Sequence, residues 1–408
     1  MSDRLRFCVV DDDEFVGSVV SDFLTGAGHA VTRFGDSVAA LQEILRAPPD
    51  GVIVDIMMPK LDGLQLCREL RASRALDATK IVVLSSKSFD ADRRRAFEIG
   101  ADAYLTKPVE RDVLIERLRA LVADRVELKF WGVRGTLPVP GPRAARYGGN
   151  TPCVSVKFPR DQLFVIDAGT GIRELARAVQ ARRERLSATI LLSHPHWDHI
   201  NALPYFSPLY VPGNAFKIVG AGHGGASLRD LISAQMDGVY FPVTIREFGA
   251  HVDFHDIAEQ ALEIDGIHID TMLLSHPGTC LGYRLRYRER AICYVSDNEL
   301  FNPDLPQYDA HYFDKLVRFV SGADALITDT TYFDDEYLGK IGWGHSSVSQ
   351  VVDLAHNAEV KNLLLFHHDP DQSDDDIDRK LALARELLAT RGSRTLCDAP
   401  AEGSVYAI

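Results

Sequence analysis

The chain has 408 residues and a formal net charge of −13. That length predicts two or three domains, each able to bury its own core, and the acidic balance argues against a protein that grips phosphate backbones by bulk electrostatics. Six scattered cysteines without a CxxC pair, an N-terminus with no apolar segment of signal-peptide length, and no run long enough to span a bilayer predict a soluble, reduced, cytoplasmic protein with no membrane partner.

From residue 6 to about 124, short apolar runs alternate with amphipathic stretches. Strands are predicted at Arg6–Val10, His29–Phe34, Gly51–Asp55, Lys80–Leu84 and Asp102–Leu105, and helices at Phe15–Thr25, Ser37–Leu45, Gly63–Arg71, Ala91–Glu98 and Glu110–Val122. Such alternation predicts a doubly wound five-stranded parallel sheet, whose ligands lie at the carboxyl ends of the strands. Asp11 and Asp12, Asp55, Ser85 and Lys107 fall at those ends. Three carboxylates at one sheet edge repel one another unless a cation joins them, and oxygen ligands suit Mg²⁺; a lysine and a hydroxyl beside them suit an added phosphoryl group.

Through Val-Val-Asp-Asp-Asp (9–13), Val-Asp-Ile-Met-Met-Pro (54–59), Leu-Ser-Ser (84–86) and Tyr-Leu-Thr-Lys-Pro (104–108), this segment resembles the CheY-like receiver domain of two-component response regulators. The resemblance implies that Asp55 accepts phosphate from a sensor histidine kinase or a phosphotransfer protein. It also implies that Asp11, Asp12, Asp55 and the Met57 carbonyl bind Mg²⁺. Ser85 would then hydrogen-bond the phosphoryl group, Lys107 would pair with it, and Tyr104 would be the aromatic that moves on activation. Ser85 stands where Thr is commoner, with the hydroxyl kept.

The junction to the next strand-like run, Glu127–Val133, is a few residues long and has no Gly/Ser-rich tether, which predicts docked domains: 1–124 and 125–408. Trp131-Gly-Val-Arg-Gly135 and Tyr147-Gly-Gly-Asn-Thr151 are Gly-bracketed turns that let backbone approach a ligand or simply bend tightly. Phe164-Val-Ile-Asp167-Ala-Gly-Thr-Gly is a strand ending in a Gly-rich turn, followed by a helix-like Gly171–Arg183.

Ile190-Leu-Leu-Ser-His-Pro-His-Trp-Asp-His199 then places three histidines and an aspartate within six residues after an apolar run. His194 and His196, two apart, can point the same way from extended backbone, and imidazoles with a carboxylate are a donor set for zinc and neighbouring divalent metals. The pattern of a strand stopping at a ligand recurs in Met272-Leu-Leu-Ser-His276, Ile292-Cys-Tyr-Val-Ser-Asp297 and Leu363-Leu-Leu-Phe-His367. If these strands are neighbours, all the ligands share one edge. His367 rather than His368 keeps the register of His194 and His276. Ala226–Ala234, Ser346–His356 and Asp376–Thr390 are predicted covering helices, the second with Ser346 as N-cap. The insertion around Asp237-Gly-Val-Tyr-Phe241 either lids the site, with Tyr240 or Phe241 stacking a base, or packs in the core.

These motifs resemble the metallo-β-lactamase superfamily over about 127–408, which implies an αββα sandwich. By that resemblance, His194, His196 and His276 bind one metal, Asp198, His199 and His367 a second, and Asp297 bridges them. Zinc is the expected ion, with manganese or iron as alternatives. Redox relatives carry Glu in place of the second histidine, and His196 argues against that branch. Ala325-Leu-Ile-Thr-Asp329 and Gly344-His345 resemble the phosphodiesterase branch, which includes ribonuclease Z, and this implies an Asp329–His345 proton relay to the leaving oxygen. Asp329 stands where the ribonuclease has Glu.

The resulting expectation is a response regulator whose output is a dinuclear-metal hydrolase of cyclic nucleotides or other small phosphodiesters. Hydrolysis of a thioester, lactone or lactam, and a metal-stabilised module without catalysis, are the alternatives. With no helix-turn-helix pattern, no DNA partner is expected. Self-association as a homodimer stays open.

Overall fold

The computed structural model describes residues 4–76, 79–86, 90–123, 125–159, 162–181, 185–239 and 241–408. The chain divides into two compact units, one containing Met1–Val126 and the other Glu127–Lys157 and Gln162–Ile408.

In the first unit, β1 (Arg6–Val10), α1 (Glu14–Gly26), β2 (Ala30–Phe34), α2 (Ser37–Arg46), β3 (Gly51–Asp55), α3 (Gly63–Arg71), β4 (Lys80–Ser85), α4 (Asp90–Ile99), β5 (Ala103–Thr106) and α5 (Arg111–Ala123) alternate as expected. The strands form one parallel sheet in the order β2-β1-β3-β4-β5. Side chains alternate between its faces, and both faces are buried. Cys8, Val10, Val52, Val54, Ile81 and Val83 pack with α2, α3 and α4. Phe7, Val9, Ile53, Val82 and Leu84 pack with α1 and α5. This explains why the strands read as unbroken apolar runs. Asp13, Asp36 and Asp62 cap the first three helices, each carboxylate accepting backbone N–H groups of the first turn.

The second unit contains β6 (Glu127–Gly132), β7 (Cys153–Lys157), β8 (Leu163–Ile166), α6 (Ile172–Gln180), β9 (Ser187–Leu192), α7 (Trp197–Ile200), β10 (Ala215–Gly220), α8 (Leu228–Gln235), β11 (His251–Asp256), β12 (Ala261–Ile264), β13 (Ile267–Leu273), β14 (Leu281–Tyr287), β15 (Arg290–Val295), α9 (Ala310–Val320), β16 (Ala325–Asp329), α10 (Asp334–Tyr337), α11 (Val348–Asn357), β17 (Asn362–Phe366), α12 (Asp374–Thr390), β18 (Leu396–Asp398) and β19 (Val405–Ala407). They build two seven-stranded mixed sheets, β11-β10-β9-β8-β7-β6-β19 and β12-β13-β14-β15-β16-β17-β18. Helices α6 and α8 cover the first sheet from outside, and α9, α11 and α12 cover the second.

Aromatic side chains lie between the sheets: Phe130 of β6 meets Phe366 of β17 with ring centroids 5.9 Å apart, and Tyr294 of β15 meets the same ring at 5.7 Å. Two wholly buried tyrosines satisfy their hydroxyls across the gap. Tyr283 donates to the Leu192 carbonyl at 2.6 Å, and Tyr294 to Asp167 Oδ2 at 2.7 Å. Those bonds tie the ends of β9 and β8 to the facing sheet, beside the turns that carry the candidate ligands.

Two expectations need amendment. The ligand-bearing strands are not all neighbours, because β9 belongs to the first sheet and β14 separates β13 from β15; their ends meet because the two sheets share a rim. Ser346 is not the cap of α11. It is buried, donating to the Asn298 carbonyl and accepting the Leu300 N–H, while Ser347 caps the helix with its N–H on the Gln350 side chain at 2.8 Å. Tyr240 and Arg183 lie outside the described residues, and Phe241 packs edge-on to Tyr205 at 5.2 Å. All six cysteines are free and buried, and no described helix is long and apolar enough to cross a membrane.

Lys380 of α12 is wholly buried and donates to the carbonyls of Thr330 (2.6 Å) and Thr331 (3.2 Å), holding the turn after β16. Burial lowers its pKa from 10.5 to about 7. Between those values the unfolded chain carries a proton here that the folded chain lacks, so stability rises with pH across this window. Relative to Lys380→Met, the native protein should therefore gain stability between pH 7 and 10 in denaturant titrations; parallel curves would contradict it.

Candidate metal centre and receiver pocket

Five imidazoles and two carboxylates converge where the two sheets meet. His194, His196, His276 and Asp297 offer ligand atoms within 4.8 Å of one another, and so do Asp198, His199, Asp297 and His367. Asp297 belongs to both groups and is 2% exposed. Its Oδ1 lies 3.1 Å from His199 Nε2 and from His367 Nε2, and its Oδ2 lies 3.5 and 3.7 Å from the Nε2 atoms of His194 and His276.

The rings are aimed by what their other nitrogens meet. His199 Nδ1 is 2.7 Å from Asp167 Oδ2, His276 Nδ1 is 2.9 Å from the Gly344 carbonyl, and His194 Nδ1 is 3.0 Å from Ser193 Oγ. His367 Nδ1 is 3.3 Å from Thr331 Oγ1. Each contact leaves Nε2 for the centre, the arrangement by which outlying partners fix a ligand's tautomer. His196, the exposed member, has Nδ1 3.1 Å from His276 Nε2. Asp198 Oδ2 accepts the Thr136 N–H at 2.8 Å and lies 3.2 Å from His367 Nε2. Gly135 lets the Trp131–Gly135 turn press against the site, since a Cβ there would sit 2.3 Å from the His367 ring. His368, by contrast, is wholly buried outside both groups, its ring edge-on to Tyr147.

Burial opposes charge throughout this site, yet Asp198 and Asp297 are held toward their charged forms while the imidazoles divide, His194, His196 and His276 being lowered and His199 raised. Burial and neighbouring rings push His194 well below its usual value, and burial lowers His196 and His276. Burial would also lower His199, but Asp297, Asp198 and Asp167 together raise it well above. Burial would raise Asp297, yet His199, His367 and His194 hold it well below the carboxylate range. Asp198 is likewise held down by His199 and His367.

Beside the centre, Asp329 is wholly buried at the end of β16. Its Oδ2 is 2.7 Å from His345 Nδ1, and its Oδ1 accepts the Thr331 N–H and hydroxyl. The His345 ring stacks on His367 at 5.0 Å. Burial disfavours its charge, but Asp329 and the bond to it, with Asp297 and Asp198 behind, push it up to about 9.

In the first unit Asp11, Asp12 and Asp55 form a further group able to hold a cation. Lys107 Nζ bridges Asp11 Oδ2 (2.8 Å) and Asp55 Oδ1 (2.6 Å). The Met57 N–H donates to Asp55 Oδ2 at 2.6 Å, and Tyr104 is hydrogen-bonded to the buried Ser85.

Residues 163–368 match the family model described as a beta-lactamase superfamily domain, and residues 7–119 match the response regulator receiver domain. The chain belongs to the beta-lactamase superfamily. Its N-terminal part is a response regulator receiver domain. The metallo-beta-lactamase fold protein YhfI from Bacillus subtilis is similar with a TM-score of 0.52 and 18% identity, over 70% of this chain and 100% of that one, a likeness of fold. Response regulator MprA of Mycobacterium leprae (strain TN) is 38% identical over 118 residues, 29% of this chain and 51% of the relative. MprA of Mycobacterium sp. (strain KMS) is 40% identical over the same length, 29% of this chain and 50% of the relative. The chain thus spans about half the length of the curated relatives it matches.

The beta-lactamase superfamily fold implies divalent metal, and the residues here fit one. His194 Nε2 is buried without a hydrogen-bond partner and faces Asp297. Burial favours the neutral, metal-binding form of His196 and His276, and neighbouring imidazoles favour the ionised form of Asp198 and Asp297. Asp167, Asp297 and His367 all adopt left-handed backbone, with φ of 61°, 50° and 58°. Such non-glycine conformations cost ~1–3 kcal/mol each and persist where surrounding contacts over-determine them.

Asp167 was legible only as the end of a strand beside the site. It accepts the Ser193 N–H (2.8 Å) and hydroxyl (2.9 Å), the Tyr294 hydroxyl and His199 Nδ1, and so orients His199. Replacing it by Asn puts a donor among four donors. Asp167→Asn should weaken the binding of one zinc ion by about 10–100-fold while the other ion's affinity holds, measured by chelator competition; two unchanged affinities would refute this role.

Proposed function

We propose that the protein is a phosphorylation-controlled hydrolase with two divalent ions, acting on small phosphodiesters such as cyclic nucleotides. The observation that carries this reading is the placement of the buried Asp329–His345 pair against a seven-residue, two-group ligand cluster. In this reading His194, His196 and His276 hold one ion, Asp198, His199 and His367 the other, and Asp297 bridges both. Zinc suits the nitrogen-rich set. Bound there, the ions would supply a water nucleophile at neutral pH and neutralise charge on the reacting oxygens.

The chain's own part in the chemistry is proton supply. Asp329 holds His345 by Nδ1 and favours its charged form, leaving Nε2–H for the departing oxygen. As water attacks phosphorus and the P–O bond breaks, His345 Nε2 passes its proton to the leaving group. His345→Ala should therefore lower kcat by about 10²–10⁴-fold for a poor alkoxide leaving group and far less for p-nitrophenolate, with both ions retained. Equal losses on both substrates would remove His345 from this role. Parallel assays on bis(p-nitrophenyl) phosphate, cyclic nucleotides, nitrocefin and acyl-thioesters test the substrate class, and turnover of the last two alone would sink the phosphodiester reading.

In the receiver, Asp55 is the proposed phosphoacceptor for a histidine kinase or phosphotransfer protein. Mg²⁺ would lie between Asp11, Asp12, Asp55 and the Met57 carbonyl, and Lys107, Ser85 and Tyr104 would respond to the phosphoryl group. A phosphoryl group adds about −1.5 to −2 charges where Lys107 now bridges two carboxylates. Beryllofluoride should change hydrolase activity about fivefold or more in the native chain and leave Asp55→Asn unaffected; an unchanged native rate would separate the receiver from the activity.

A further inference from the structure

Glu299 is 2% exposed, lies two residues after Asp297, and is used neither by the ligand cluster nor by the Asp329–His345 pair. Its carboxylate accepts three hydrogen bonds from a single stretch of chain. Oε1 accepts the Gly342 N–H at 2.7 Å and the Tyr337 hydroxyl at 2.9 Å, and Oε2 accepts the Gly344 N–H at 2.8 Å. The Glu299 N–H donates to the Ser275 carbonyl at 2.8 Å, one residue before His276. Glu299 therefore fixes both the 342–344 turn and the segment that carries His276.

What that turn presents is the Gly344 carbonyl, 2.9 Å from His276 Nδ1. Gly344 has φ +87°, and a Cβ there would lie 2.3 Å from the same nitrogen, so only glycine permits this approach. A carbonyl can only accept, so Nδ1 must carry the proton and Nε2 is left as a lone-pair donor toward Asp297. The next residue is His345, on Asp329.

We propose that Glu299 is a positioning residue of the metal centre. By pinning the amides of Gly342 and Gly344 it sets the Gly344 carbonyl against His276, holds that ring in its Nδ1–H tautomer, and presents Nε2 to the ion. The inference rests on the reading of His276 as a metal ligand.

Glu299→Gln keeps the shape but places an amide donor against backbone N–H groups. In the full-length chain, titrated with zinc against a chelating indicator, it should weaken the ion shared by His194, His196 and His276 by about 10–100-fold. In the metal-free protein, long-range ¹H–¹⁵N spectra should show His276 changing from one tautomer to a mixture, which a loop anchor alone would not cause. A folded Glu299→Gln protein with native zinc affinity and an unchanged His276 tautomer overturns the proposal. His276→Ala is the reference: if it keeps both ions at native affinity, the ligand reading itself has failed. Should Glu299→Gln not fold, Tyr337→Phe removes one donor and keeps both backbone bonds. It should change the absorption of the cobalt-loaded protein and lower zinc affinity by a smaller factor, and a native spectrum with native affinity overturns the proposal.

Discussion

The second unit depends on holding carboxyl groups in a nearly dry rim between two sheets. Asp297, Asp167 and Asp329 are each almost or wholly inaccessible, and a buried charge is tolerated only with partners on all sides. Asp297 is surrounded by imidazoles, Asp167 takes four donors, and Asp329 accepts from Thr331, Asn298 and His345. The fold supplies those partners from segments far apart in the chain, which is why the two facing sheets must share this rim.

The geometry is costly in backbone terms. Three of the residues at the rim sit in left-handed conformations that aim their side chains across the gap instead of along the strand. The compensation comes from dense local bonding and from aromatic residues between the sheets, whose hydroxyls end on Leu192 and Asp167. Strain of this kind is placed where rearrangement would be most damaging to a preorganised cation site. The receiver pocket solves a similar problem differently, with Lys107 between Asp11 and Asp55 in place of a ring of imidazoles.

Much of this was readable from the chain. Apolar runs of strand length that stop at His194, His276, Asp297, Asp329 and His367 predicted side chains at one rim, because a buried strand must emerge from the sheet where its first polar residue falls. His367, placed first by its position after the apolar run, lies among the side chains that could share a cation, and His368 packs against Tyr147. The receiver elements were legible for the same reason: two buried faces require continuous apolar strands. Ser346 was misread as a cap because Ser346 and Ser347 are chemically equivalent at a helix start, and only the neighbourhood of Asn298 distinguishes them.

By itself the sequence determined the strand and helix periodicity, the acidic edge of the first unit, and the donor types that can hold a cation in the second. Only the tertiary structure decided which nitrogen of His194, His199, His276 and His367 faces inward, because those choices are made by Ser193, Asp167, the Gly344 carbonyl and Thr331. Several of the site's contacts use backbone atoms, among them the Gly344 carbonyl and the Thr136 N–H. A backbone group carries no residue-type signature, so its role exists only once distant segments have been folded against one another.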